Sequence, residues 1–271
     1  MKIAVFGANG QLGHAVVRVA AARGLAIAAF GRAEADITDS AAVSRAFDAS
    51  GASLIINAAA YTTVDRAESD EARAFAINRD GVANLAALGA PLIHVSTDYV
   101  FDGSKAGAYL ESDPVAPLGV YGRSKAEGEQ AAGEGALIVR TAWVYGLEGA
   151  NFVRTMQRLG ADREVLRVVN DQRGCPTFAD DLAGGLLTMA ANYRPGLYHL
   201  AASGEATWYE FAREIFAGRE RPRVEPITTA DYPTPARRPA NSVLDSTLAR
   251  THFGIELPHW KDGLKRMINE L

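Results

Sequence analysis

Tyr121 and Lys125 stand four residues apart in the run Tyr121-Gly122-Arg123-Ser124-Lys125. On a helix that spacing puts a phenol and an ammonium on one face. A free tyrosine titrates at about pH 10, and a neighbouring cation favours the phenolate, drawing the group toward the range where it exchanges a proton at neutral pH. Taken alone, Tyr-x-x-x-Lys is also the pattern of an exposed helical pair. Upstream, the run His94-Val95-Ser96-Thr97-Asp98 ends an apolar stretch. Hydroxyls there would stand at the carboxyl end of a parallel strand, where ligands of open α/β sheets bind. Thr97 would donate to a substrate oxygen as that oxygen gains negative charge. The plainer alternative is that Ser96 and Thr97 merely end the strand.

A third group has dinucleotide chemistry. Gly7-Ala8-Asn9-Gly10-Gln11-Leu12-Gly13 directly follows the first apolar run, with glycine at every third position. Glycines at such a strand-to-helix turn let the chain reverse tightly and let the backbone approach a pyrophosphate, while the N–H groups opening the helix face the phosphates. A turn that merely needs glycine would read the same way. The second apolar run ends Phe30-Gly31-Arg32, where an acid would bind both ribose hydroxyls of NAD. Arg32 instead suits a 2′-phosphate, which leans the cofactor toward NADPH and leaves NADH open; a solvated loop arginine is the competing reading. Asp36-Ile37 follows within reach of an adenine, and Asn57-Ala58-Ala59-Ala60 ends a third apolar run in small residues.

The elements that must hold these groups follow from hydrophobic period. Apolar runs of strand length lie at Ile3–Phe6, Ala26–Phe30, Leu54–Ile56, Leu92–Val95 and Leu137–Val139. Residues 11–23, 41–49 and 70–88 carry apolar positions at helical spacing. Alternation of this kind predicts βαβ units: an α/β fold with a Rossmann-type, doubly wound parallel sheet. After residue 146 the texture becomes loop-rich, with helices expected at Ala179–Asn192 and Trp208–Phe216. Five prolines between 221 and 241 predict an extended loop. We therefore expect residues 1–146 to form mainly the dinucleotide-binding core. Residues 147–271 would form mainly a smaller C-terminal substrate-binding lobe, with some segments returning to the core.

Composition limits the partners. The chain has 271 residues, ordinary globular composition (48% hydrophobic, 22% charged) and a net charge of −4. That balance gives no electrostatic reason to expect nucleic acid. No stretch approaches the roughly 18 apolar residues of a spanning helix, and the N-terminal apolar run is too short for a signal peptide. A cytoplasmic protein without a membrane partner is expected. Cys175 is the single cysteine, so it has no disulfide partner, and it reads as a small loop residue rather than a nucleophile. The five histidines show no ligand spacing, and no metal is expected. Trp208 and Trp260 read as core rather than as platforms for a base. Arg237-Arg238 offer forked donors that suit a diphosphate, or a surface pair.

The glycine turn, the strand-end hydroxyl and the Tyr-x-x-x-Lys run together resemble the extended short-chain dehydrogenase/reductase superfamily. Further blocks narrow the resemblance. Thr97-Asp98-Tyr99-Val100-Phe101-Asp102-Gly103, Arg140-Thr141-Ala142-Trp143-Val144-Tyr145-Gly146, Gly196-Leu197-Tyr198-His199-Leu200 and Tyr232-Pro233-Thr234-Pro235-Ala236-Arg237-Arg238-Pro239 with Asn241 are similar to the dTDP-4-dehydrorhamnose reductase family. These blocks fall in both halves of the chain. The resemblance implies NAD(P)H-dependent reduction of the 4-keto group of a nucleotide-linked sugar. It implies Tyr121 as proton donor, Lys125 orienting the cofactor and lowering the tyrosine pKa, and Thr97, Asp98 and Trp143 at the sugar. Cofactor contacts would come from Gly7, Gly10, Gln11, Leu12, Gly13, Arg32, Asp36, Ile37, Ala60, Tyr61, Thr62, Tyr121 and Lys125. Substrate contacts would add Arg237, Arg238 and Asn241. Some family members join a metal-linked dimer through a glutamate in the first helix; this chain has His14-Ala15 there, so a monomer or a homodimer without metal is expected. An epimerase that recycles its cofactor and a non-catalytic subunit on the same fold are the alternatives.

Overall fold

The computed structural model describes residues 1–271. The chain forms twelve strands and eleven α-helices. The first half contains β1 (Lys2–Phe6), α1 (Gln11–Ala22), β2 (Ala26–Phe30), α2 (Ser40–Ser50), β3 (Leu54–Asn57), α3 (Val64–Ala67), α4 (Glu71–Phe75), α5 (Gly81–Ala86), β4 (Leu92–Thr97), α6 (Val120–Ala132) and β5 (Leu137–Thr141). The second contains β6 (Val144–Tyr145), α7 (Phe152–Asp162), β7 (Val165–Val169), β8 (Arg173–Gly174), β9 (Thr177–Phe178), α8 (Ala179–Ala191), β10 (Gly196–His199), β11 (Ala206–Thr207), α9 (Trp208–Ile215), β12 (Arg223–Ile227), α10 (Thr247–Phe253) and α11 (Trp260–Glu270).

Six strands form one parallel sheet in the order β10-β5-β4-β3-β1-β2. The order reverses direction at β1 and β3, as a doubly wound sheet does, and that point is where such sheets bind ligands. The inner strands are short, mainly apolar runs because helices cover both faces, whereas the edge strand β2 stays partly exposed. One face buries Ile3, Val5, Ile56 and Val139 against α1 and α8. The other buries Phe6, Ile55 and Leu92 against Val43 of α2 and Val82 and Leu85 of α5. A separate core gathers Tyr145, Val153, Met156, Phe178, Phe211, Trp260 and Met267 from the second half of the chain.

Two sequence expectations on secondary structure need correction. Residues 223–227 are not loop but strand β12, which pairs in parallel with β7 and places Pro226 opposite Val168. Proline is tolerated because this sheet has only two strands, so β12 needs a ladder on one side only. The helical stretch expected over 70–88 is broken by a π-turn at Ala76–Asp80 between α4 and α5. Its Asn78 side chain is fully buried there and bonds across the fold.

Candidate active site

A cleft of about 840 Å³ opens at the carboxyl ends of the central strands. The glycine turn forms one wall. Gly7 has φ +80°, and a Cβ on it would lie 2.4 Å from the Ala59 backbone nitrogen. A Cβ on Gly13 would lie 2.1 Å from the Gly7 carbonyl oxygen, so Gly13 serves the packing of α1 on β1 and does not line the cleft. Gly10 begins α1 with no side-chain cap, leaving the first N–H groups of the helix to the cleft. Gln11 and Leu12 line the same wall, and the Gln11 amide donates to the Val144 carbonyl, 2.9 Å away.

Arg32 and Asp36 sit together on the rim, the Arg32 Nε donating to Asp36 Oδ2 over 2.9 Å. Burial works to raise the Asp36 pKa, but the Thr38 backbone and hydroxyl, with Arg32, hold it below the usual carboxylate value. Ile37, Ala60 and Thr62 also line the cleft. Tyr61 does not; its N–H donates to Asn78 Oδ1 and its hydroxyl to Asp70.

Tyr121 and Lys125 lie on one face of α6 at the cleft, and Thr97 and Asp98 face them from the end of β4. The expected electrostatic pairing is not what the structure holds. Burial pushes the Tyr121 phenol up to about 12, opposed by the Thr97 hydroxyl and reinforced by Asp98. Lys125 makes its contacts elsewhere: its Nζ donates to the Val95 carbonyl at 2.7 Å and lies 3.3 Å from His94 Nε2. Burial lowers Lys125 to about 8, opposed by Glu129 one turn further along α6. Tyr121 is therefore a neutral phenol at pH 7, the state a proton donor requires.

Thr97 Oγ1 donates to Asp98 Oδ1 at 3.0 Å and accepts from the Tyr99 N–H. Asp98 is buried, and its Oδ2 has no hydrogen-bond partner. Burial pushes its carboxyl up to about 6 against the pull of the Ser242 and Thr97 hydroxyls. Behind β4, Glu129 accepts from Ser96 Oγ and takes both Nε and Nη2 of Arg140, a buried fork of charge-assisted bonds.

The far wall is aromatic. Trp143 has φ 47°, uncommon for a bulky residue. Its indole stacks on Trp208 with centroids 3.5 Å apart, and Gly174 lies against its other side, where a Cβ would come within 2.4 Å. Trp208, at the start of α9 with the capping box of Thr207 and Glu210, packs on the second core against Phe152 and Phe211, as expected, and also lines the cleft, which was not expected. Trp260 is core, at 3% exposure.

The C-terminal candidates are placed differently from the sequence reading. Asn241 is not at the cleft: its amide donates to the Lys105 and Gly107 carbonyls and its oxygen accepts from Val243 N–H, exhausting the side chain on a loop. Arg238 is drawn to Asp65 by two bonds of 2.8 and 3.1 Å, because a carboxylate from α3 matches the guanidinium fork. Arg237 forms no ion pair and borders a small hollow beside Tyr99 and Tyr121. Cys175 is buried and inert, its thiol pushed up to about 12 by burial. Sequence reasoning missed Asn78, which joins the Tyr61 backbone to Ser124 on α6, and His94, whose neighbours only the fold supplies. Nothing in the sequence pattern over 70–88 marked Asn78, because the π-turn that turns it inward appears only in the structure.

The doubly wound sheet, the glycine turn at its switch point and the Thr–Tyr–Lys group at the strand ends define a Rossmann-type protein of the reductase and epimerase kind. The family model described as RmlD substrate binding domain matches residues 1–271. A dTDP-4-dehydrorhamnose reductase of Sinorhizobium fredii is 44% identical, with 99% of this chain and 97% of that protein covered. The Escherichia coli protein of the same name is 41% identical over 100% of this chain and 98% of its own length. A crystal structure of a Bacillus anthracis dTDP-4-dehydrorhamnose reductase in complex with NADP superposes with a TM-score of 0.95 at 37% identity, covering 100% of this chain and 99% of that one. A Thermus thermophilus UDP-glucose 4-epimerase with NAD shares the fold, with a TM-score of 0.84 at 21% identity over 99% and 98% of the two chains. The chain belongs to the dTDP-4-dehydrorhamnose reductase family. None of its helices is long and apolar enough to cross a membrane.

Proposed function

We propose that this chain reduces the 4-keto group of dTDP-4-dehydro-L-rhamnose to dTDP-L-rhamnose, using NADPH, with NADH as the second possible donor. The observation that carries the reading is the meeting of Thr97, Tyr121 and Lys125 in the same cleft as the uncapped glycine turn. The residues present fit a dinucleotide: the uncapped first turn of α1 at Gly10 suits a pyrophosphate, and Arg32 on the rim suits a 2′-phosphate. When bound, the dinucleotide supplies a hydride to the carbonyl carbon.

The chain's own residues do the rest. Thr97 turns its hydroxyl from Asp98 to the substrate oxygen and stabilises the charge growing there. Tyr121 donates its phenolic proton to that oxygen, a transfer that its high pKa in the free protein prepares by keeping the proton on until the alkoxide forms. Lys125 holds the cofactor ribose. Trp143, backed by Trp208, shapes the wall against the sugar, and Asp98 meets a sugar hydroxyl. Arg237 is the guanidinium of its pair left to meet a diphosphate. We read residues 1–146 mainly as the dinucleotide side and 147–271 mainly as the substrate side, with α8 and β10 serving the first.

The test is loss of nicotinamide absorbance with the sugar nucleotide generated in place by its upstream enzymes. Stoichiometric cofactor oxidation by the wild type, lost in Tyr121→Phe while cofactor affinity stays within about twofold, is the expected result. Product formation without net cofactor oxidation would overturn the reductase reading in favour of an epimerase.

A further inference from the structure

His94 is fully buried on β4 between two side chains that compete for its ring. On one side Asn57 Nδ2 lies 3.1 Å from His94 Nδ1; on the other, Lys125 Nζ lies 3.3 Å from His94 Nε2. The orientation of the Asn57 amide is fixed independently. Its Oδ1 accepts the Ala59 N–H at 3.0 Å, and a reversed amide would set two donors against each other there. Nδ2 therefore faces the ring and donates, so Nδ1 must accept and the ring proton sits on Nε2. That proton points at Lys125, which can accept it only as the neutral amine.

An ammonium at Lys125 reverses the requirement. Nε2 must then accept, the ring proton moves to Nδ1, and it meets the Asn57 amide donor. Charging the ring offers no escape, since burial, and then Lys125 itself, holds His94 well below the usual histidine range. One proton too many for the chain Ala59–Asn57–His94–Lys125 thus has to break a contact at one end or the other. The remaining groups around this pair are Tyr121 and Glu129 on the same helix as Lys125; Glu129 favours the ammonium and is itself engaged by Arg140 and Ser96.

We propose that His94 is a positioning residue that couples the protonation of Lys125 to the backbone at Asn57–Ala59 through a switch of imidazole tautomer. With Lys125 as the amine, the ring carries its proton on Nε2 and Asn57 is held. With Lys125 as the ammonium, the proton is on Nδ1 and the Asn57 contact is released, loosening the small-residue segment that lines the cleft beside the glycine turn. No bond beyond these N–H bonds changes, and the proton gained by Lys125 comes from solvent. The bearing on turnover rests on the reductase reading; the switch itself does not.

The experiment follows the ring nitrogens of histidine in 15N-histidine-labelled protein by long-range proton–nitrogen correlation, from about pH 6 to about pH 10. The expected result is a neutral ring throughout, with the proton on Nε2 at high pH and on Nδ1 at low pH, the midpoint matching that of Lys125 Nζ. In Lys125→Met, which keeps the packing and removes the amine, the ring stays as the Nε2–H tautomer at every pH, and this variant also identifies the resonance. A single tautomer across the range in the wild type, or a switch that persists in Lys125→Met, overturns the proposal. In the reductase assay, His94→Gln, whose amide presents either a donor or an acceptor, moves the alkaline midpoint of kcat up by about one pH unit and leaves the cofactor KM unchanged. Absence of reductase activity in the wild type would count against the proposed reaction alone, because the tautomer measurement needs no turnover.

Discussion

Replacing Asp98 by asparagine is expected to stabilise the protein while removing its activity. Asp98 is buried, its Oδ2 is unpartnered, and its pKa rises from 3.8 to about 6 in the folded state. Between those two values the folded protein holds a proton that the unfolded chain has released, so stability falls as pH rises through this window. Above pH 6 the penalty is complete, and a displacement of about two pH units corresponds to about 3 kcal/mol. Asparagine keeps the volume and the polar shape without the charge. Urea unfolding of wild type and Asp98→Asn at pH values below 3.8, between the two pKa values, and above 6 should give curves that nearly coincide in acid and diverge to about 3 kcal/mol in favour of the variant at neutral pH. His199, lowered to about 3 mainly by burial, also bends both curves in acid, but it is common to both proteins and drops out of the difference. A variant no more stable than wild type at neutral pH, or one equally favoured at every pH, would refute the claim that the site stores an unfavourable charge.

Glu129→Gln leaves the Arg140 charge buried without its counterion and should cost about 3–5 kcal/mol in urea unfolding, whereas Glu129→Leu with Arg140→Met should cost far less. Gly13→Ala places a Cβ 2.1 Å from the Gly7 carbonyl, and α1 must lift from β1; about 3 kcal/mol of stability and at least about tenfold in cofactor affinity should be lost, read by thermal melting and by fluorescence titration. Trp208→Ala removes the partner that holds Trp143 and should raise the KM for the sugar nucleotide by about tenfold with the cofactor KM unchanged, alongside loss of the near-ultraviolet circular dichroism of the paired indoles.

The parts of this fold readable in the sequence are those where a local rule decides. The five apolar runs became β1 to β5 because helices cover both sheet faces, and Gly7 and Gly13 meet a backbone requirement that no other residue meets. Tyr121 and Lys125 were legible for the same reason, since a helix fixes what stands four residues apart. What was not legible depends on partners distant in sequence. Arg238 looked like a phosphate ligand until Asp65 reached it from α3, and Asn241 looked free until the carbonyls of Lys105 and Gly107 took its amide. Trp208 opens a strongly amphipathic helix and reads as core in a one-dimensional pattern; only the fold shows that it also stacks on Trp143 at the cleft wall. The expected lowering of the tyrosine by its lysine failed because spacing gives proximity but says nothing of burial, which dominates the phenol.

The path of the chain through the central sheet also constrains how the protein comes into being. It leaves the sheet after β5 at Thr141 and returns only with β10 at Gly196, which completes the edge beside β5, while α8 arrives just beforehand to cover α1. A ribosome that has released the first 146 residues has therefore delivered every group of the glycine turn and the tyrosine–lysine pair, yet β5 still has an open edge and α1 a bare apolar face. That nascent intermediate has to wait for about fifty more residues before its surface closes, at elongation speeds a matter of several seconds. The same geometry makes residues 142–178 an excursion that ends where α8 begins to cover α1, so changes in its loops leave the register of β5 and β10 untouched.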